Sequence, residues 1–193
     1  MEIQAALIKS ILEKHQNYEW TRQGFGFVRT KIGAVGRIHV WDSTLTAARV
    51  STIHNHPWVL KSTIISGELI NQRMTEASVG MPYCASQLKT GEGGGLTGET
   101  RAIALRGEKP EFYSSGETYE QEAAEIHRTI ARDGTVTLLE RMQGPPLEVA
   151  DTYWPQGSSW VSAEPTAISG WELQKVIDYA LSIWAIANTK TSV

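Results

Sequence analysis

The sequence predicts a mainly β fold, an antiparallel barrel or sandwich with one helix before it and one behind it. Three observations predict it. Helical periodicity is confined to the two ends of the chain, the middle breaks into short strand-like runs punctuated by glycine, and an Asp-Gly pair separates two of those runs.

Taken in order, residues 2–16 place Ile3, Leu7, Ile8, Ile11 and Leu12 at helical spacing, with Lys9, Glu13 and Lys14 on other faces. His15 falls at the end of this helix, where solvent is its expected environment. The strand runs follow as "GFGFVRT", "GRIHVWD", "ARVSTIHNHPW", "STIISGELINQRM", "RAIALRG" and "EIHRTIARDGTVTLLER". The "RDGT" at 132–135 favours a type I′ two-residue hairpin, and "SGEL" at 66–69 is a second turn. The stretch "TGEGGGLTGET", 90–100, reads as a loop. It lacks the Gly-Lys-Ser/Thr ending of a phosphate-cradling loop. The last helix opens on Ser169 and Glu172 in capping-box spacing and repeats apolar residues at Leu173, Val176, Ile177, Ala180, Leu181 and Trp184. The expected organisation is one domain over 1–193: a helix in 1–18, a barrel over 20–145, and a loop and helix over 146–193 packed on that barrel.

Composition narrows the function classes. The chain has 193 residues, 41% hydrophobic and 20% charged, enough to bury a sizeable core without disulfide or metal. A net charge of −3 supplies no basic field for nucleic acid. The single cysteine, Cys84, excludes an internal disulfide and fits a reducing, cytoplasmic setting. With Glu2 and Lys9 in the first helix, neither a signal peptide nor a membrane partner is expected.

The chemistry concentrates in "STIHNHPWVL", 51–60. On a strand, Val50, Thr52, His54, His56 and Trp58 share one face, while Ser51, Ile53 and Asn55 share the other. Two imidazoles at i and i+2 can reach one ion, since neutral imidazole is a strong ligand for transition metals. A third ligand is available in His127. If Asp133-Gly134 is a two-residue turn, His127 stands opposite Glu140, on a face otherwise small or apolar. A shift of one residue would put Arg141 there instead.

"HNHPWVLKSTIISGEL", followed about seventy residues later by "EIHRTIARDGTVTLLER", resembles the two metal motifs of the cupin superfamily. That resemblance implies a double-stranded β-helix, or jelly-roll, barrel. His54 and His56 match the paired histidines of its first motif, Gly67 the turn glycine, and His127 the histidine of its second. The glutamate of the first motif is missing, since Leu60 and Lys61 stand in its place. A three-histidine site resembles the thiol-dioxygenase branch, which implies iron(II) as cofactor, with zinc, manganese or nickel as other divalent ions. Members of that branch with a cysteine–tyrosine crosslink have its halves about where Lys61 and Arg141 fall, so the resemblance does not extend to cysteine as substrate. The span from "GFGFVRT" to "EIHRTIARDGTVTLLER" is also similar to cupin-like proteins of bacteriophages, for which a host-cytoplasmic location would follow. A homodimer is a further expectation from resemblance.

The site expected is a divalent metal on His54, His56 and His127, with Glu140 and Arg141 as the catalytic candidates. Glu140 reads as a fourth ligand, an acceptor orienting an imidazole, a general base, or half of a surface ion pair with Arg128 or Arg141. Trp58 is an aromatic wall over a ligand or a packing residue at the barrel end. Lys61, Arg73, Arg128 and Arg141 form an anion-binding rim, or are scattered surface charges. His39 has no motif partner and reads as structural. "YWPQGSSW" is a lid or interface, or simply packs the last helix. Three functions follow in order: an Fe(II)-dependent dioxygenase-like enzyme on a small polar metabolite; a metal-dependent isomerase, lyase or hydrolase; and a protein that sequesters a nucleotide-like molecule without catalysis.

Overall fold

The computed structural model describes residues 2–34, 36–47, 50–89, 95–142 and 147–189. Residues 90–94 of the glycine-rich loop lie outside the described residues. The elements are α1 (Glu2–Glu13), β1 (Thr21–Gln23), β2 (Phe27–Ile32), β3 (Gly36–Trp41), β4 (Leu60–Ser66), β5 (Glu68–Lys89) and β6 (Arg101–Gly107). They continue with β7 (Glu111–Ser114), β8 (Thr118–Gln121), β9 (Ile126–Ala131), β10 (Val136–Arg141), β11 (Val149–Pro155), β12 (Thr166–Ala167) and α2 (Gly170–Thr189). Among the described residues, no helix is long and apolar enough to cross a membrane.

The expected mainly β class, with a helix at either end, is what the chain adopts. One antiparallel sheet runs β12-β1-β2-β3-β10-β4-β8, and the other is centred on β5, which pairs with β6, β7, β9 and β11. Within them, β3-β10-β4-β8 oppose β7-β5-β9, with the backbone at His54 bridged to β9. The chain thus passes from sheet to sheet as it goes from β3 to His54, β4 to β5, β7 to β8, and β9 to β10. That alternation is the double-stranded β-helix of a jelly roll.

The alternation of side chains gives the large sheet two unlike faces. Val28, Ile38, Val40, Val136 and Leu138 point outward and form one core with Ile8, Ile11 and Leu12 of α1 and Leu173, Val176, Ile177 and Trp184 of α2. The residues between them, Phe27, Arg29, Arg37, His39, Trp41, Thr137, Leu139 and Arg141, point inward to a cavity between the sheets. His15, expected in solvent, is buried: its Nδ1 lies 3.0 Å from the carbonyl of Leu12, and its own carbonyl accepts from the indole N–H of Trp20.

Two turns carry two of these crossings. Gly67, between β4 and β5, has φ +89°, and a Cβ there would come within 2.8 Å of the Thr135 Cα. Only glycine tolerates both the backbone hand and the approach. The turn at 132–135 is closed by Thr135 N–H donating to the Arg132 carbonyl, with φ positive at Gly134 and not at Asp133. A type I′ turn needs both central residues at positive φ, so the expected hairpin is not formed. Instead β9 pairs with β5 in one sheet and β10 with β3 and β4 in the other.

Two further segments differ from expectation. The 146–193 region, read as loop and helix, contains β11, which pairs with β5 from Val149↔Lys89 to Pro155↔Tyr83. The 51–60 stretch is not a continuous strand. Before Leu60, where β4 begins, His54 alone makes β-bridges, to His127 on one side and Thr152 on the other.

Candidate metal centre

The bridge at His54 does what a strand would have done. His54 N–H donates to the His127 carbonyl at 3.1 Å and His127 N–H donates back at 2.9 Å, a hydrogen-bonded antiparallel pair whose side chains share a face. Asn55 pins the next residue away from that face: its amide nitrogen donates to Asp151 Oδ2 at 2.8 Å and its Oδ1 accepts from Asp151 N–H at 2.7 Å. His56 then returns to the cavity side, with its carbonyl accepting from Ala124 N–H.

The three imidazoles meet. His54, His56 and His127 each offer a ring nitrogen, and these atoms lie within 4.8 Å of one another. His127 is 3% exposed. Phe25 stacks on His54 at 4.7 Å between ring centroids, backing the cluster with an apolar wall.

The hydrogen bonds fix which nitrogen faces inward. His127 Nδ1 lies 2.8 Å from Asn71 Oδ1, and His54 Nδ1 lies 3.0 Å from the Thr52 carbonyl. Both acceptors require the proton on Nδ1, which leaves the Nε2 lone pair of each ring free. His127 Nε2 stands 3.2 Å from His56 Nε2. Without an ion this is a hydrogen bond in which His56 Nε2–H donates; moving that proton to His56 Nδ1 frees the third lone pair. Two nitrogens each about 2.1 Å from one ion stand about 3.0 Å apart at a right angle and about 3.4 Å apart at the tetrahedral angle. The His56–His127 separation falls between, so that pair is spaced to share a transition-metal ion, and the His54 ring nitrogen stands within 4.8 Å of both as the third donor.

Burial, the largest effect on all three, pushes the imidazoles toward the neutral form that a metal needs. His56 and His127 are held well below the usual histidine range, with neighbouring imidazoles adding to desolvation, and His54 is lowered less sharply against its bond to Thr52. Asn71 orients His127 without touching the ion position. Replacing it as Asn71→Leu, which keeps the volume and removes the acceptor, is expected to weaken metal affinity ten- to a hundredfold, roughly, with the circular dichroism spectrum unchanged. A chelator-competition titration measures this.

The cluster opens on a cavity of about 810 Å³. Of the other sequence candidates, Trp58 and Arg141 line it. Glu140 does not: on β10 it alternates with the inward Leu139 and Arg141, opposite Gly36 and Lys61. Lys61 likewise sits between the inward Leu60 and Ser62 on β4 and faces away. Arg128 alternates with His127 and Thr129 on β9 and donates to Gln72 on the outer face. Arg73 shares the inner face of its sheet, but Glu111 and Glu125 hold it in ion pairs away from the cavity. The anion-binding rim of Lys61, Arg73 and Arg128 is therefore not assembled.

Other residues take that place. Arg29, Lys31, Arg37 and His39 line the cavity with Arg141. His39, read from sequence as structural, is 7% exposed and stacks on Phe27 at 4.3 Å. Its pKa is lowered to about 3, by burial first and then by Arg29 and Arg37. The missed signal was their spacing: "VRTK" and "GRIH" place Arg29, Lys31, Arg37 and His39 on one face of a two-stranded pair.

No family model matches the chain, and no curated protein matches it. Among solved structures it is similar to a chain of hydroquinone 1,2-dioxygenase PnpCD, solved in complex with Cd2+ and 4-hydroxybenzonitrile, with 17% identity and a TM-score of 0.33. The match covers 61% of this chain and 63% of that one, so less than two thirds of the relative is spanned.

Proposed function

We propose that the chain is a mononuclear metal enzyme of dioxygenase type, with iron(II) held by His54, His56 and His127 and a small polar metabolite bound in the adjoining cavity. The observation that carries the reading is the convergence of three imidazoles kept neutral by burial, two of them with Nδ1 committed to fixed acceptors. Three neutral donors leave a divalent ion its full charge and open positions, and iron(II) so bound supplies oxygen chemistry where zinc, manganese or nickel would supply Lewis-acid chemistry. The chain's own part is to orient and to exclude water. Phe25 and Trp58 wall the site, Asn71 and Thr52 hold two ligand rings, and Arg141 offers a cation to a polar substrate. The likeness of "HRTIARDGTVTLLER" to three-histidine cupins supports iron over the other ions.

Elemental analysis of untagged protein is expected to give close to one transition-metal ion per chain, and His54→Ala with His127→Ala is expected to remove it. Oxygen uptake on adding iron(II) and candidate metabolites would favour the oxidative reaction over the Lewis-acid one. Full metal content in the double variant would overturn the ligand assignment. The arginines of the cavity, which pair with no carboxylate among the described residues, favour a second reading, a sequestering protein. In that case heat denaturation would release a small molecule of unaltered mass.

A further inference from the structure

The inner face of the large sheet carries more positive charge than the histidine site accounts for. Lys31 on β2 and Arg37 on β3 are direct cross-strand partners, and Arg29 stands opposite His39 on the next inward pair. Like charges directly opposite each other destabilise a sheet. Arg37 and Arg141 both place the guanidinium over the Trp58 indole, 5.4 and 5.6 Å from the ring centroid. Among the described residues, no carboxylate forms an ion pair with any of these four cations. The two acids that line the cavity sit elsewhere. Asp151 is engaged by Asn55, and Glu164 lies in the extended segment after β11.

The charge is focused on a defined recess. A pocket of about 170 Å³ shares Lys31, Arg37, Trp58, Leu139 and Arg141 with the main cavity, and no acidic side chain among the described residues lines it. Among the described residues, three buried polar atoms of cavity-lining side chains also lack partners: Nε2 of His39, on a side chain more than nine-tenths buried, Nε1 of Trp58, and Oε1 of Gln23. Burial, with Arg37 next, lowers Arg29 to about 10, so the cluster is held together against its own repulsion. Trp58 offsets part of this repulsion, but with no compensating carboxylate among the described residues the arrangement points to a ligand that supplies the compensating charge.

We propose that this cluster binds the phosphoryl group of a small phosphorylated metabolite, with Arg37 and Arg141 gripping it through their paired N–H donors. A guanidinium fork matches phosphate oxygens two at a time, and a dianion neutralises the crowded cations where a single carboxylate leaves most of the charge unmatched. The inference rests on the functional reading above for its cavity: the phosphoryl group anchors one end of the molecule, and the remainder extends toward the histidines.

Inorganic phosphate is the probe, titrated by calorimetry into chelated full-length protein at fixed ionic strength and pH 7.5. One saturable site is expected, at least tenfold weaker in Arg37→Gln and in Arg141→Gln, and unchanged in Arg128→Gln, which lies outside the cavity. Without phosphate, the first two variants should melt no lower than the parent, because each removes a like-charge conflict. Lys31→Gln, at an exposed position, is a second check that does not depend on packing and should weaken binding severalfold. Absence of a saturable site, equal binding in all variants, or acetate binding as tightly as phosphate would overturn the proposal. Metal content is measured separately on the same preparations. Phosphate binding with no metal affinity would sink only the metal reading, and metal binding without phosphate affinity would sink only this one.

Discussion

Taking chelated protein from pH 7.5 to pH 5.0 is expected to lower folding stability by at least about 2 kcal/mol. Burial lowers His39 to about 3 and holds His56 and His127 well below the usual histidine value. In the unfolded chain each titrates near about 6.5. Between the two values the unfolded state binds protons that the folded state refuses, so stability is complete above the unfolded value and falls as pH descends toward the folded one. At pH 5.0 His39 alone withdraws about 2 kcal/mol, and His56 and His127, shifted in the same direction, add to the loss. Urea titrations at the two pH values measure the difference, and His39→Gln should reduce it by about 2 kcal/mol. An unfolding midpoint that does not move between pH 7.5 and 5.0 would contradict the neutral, buried imidazoles.

His39 also shows why part of the cavity escaped the sequence. In "GRIHVW" the apolar Ile38 and Val40 alternate with Arg37, His39 and Trp41, which reads as a strand with one face in the core and one in water. Alternation separates two faces but does not say what covers each. Here the two terminal helices cover the apolar face, so the polar face becomes the inside of the jelly roll. The three clustered histidines were legible because their chemistry is written in local spacing, two residues apart, with a third in the order a metal motif uses. Glu140 was misplaced for a reason of turn geometry. Asp133-Gly134 fits several turns, and the one adopted, with positive φ at glycine alone, lets the chain leave one sheet for the other. Arg73 and Arg128 were misassigned because charge says nothing about partners. Glu111, Glu125 and Gln72, distant in sequence, hold them away from the cavity.

Saturating the chelated protein with iron(II) under anaerobic conditions should reverse much of the acid loss. An ion that binds the folded chain and not the unfolded one adds about 2.7 kcal/mol at a hundred times its Kd and about 4.1 kcal/mol at a thousand times. The geometry favours a large differential. His54 and His127 are joined by reciprocal backbone hydrogen bonds, so two of the three donors are in place before the ion arrives. The unfolded chain offers only the close pair His54 and His56, with His127 far along the sequence. Protons and metal compete for the same lone pairs, so the metal-loaded protein should keep its stability to lower pH than the chelated protein, and the gap between the two curves should close as acid displaces the ion. Thermal or urea unfolding of both forms across pH 5.0–7.5 measures it. In His54→Ala with His127→Ala the two curves should coincide. A metal-induced gain of the same size in that double variant would place the ion away from the three histidines.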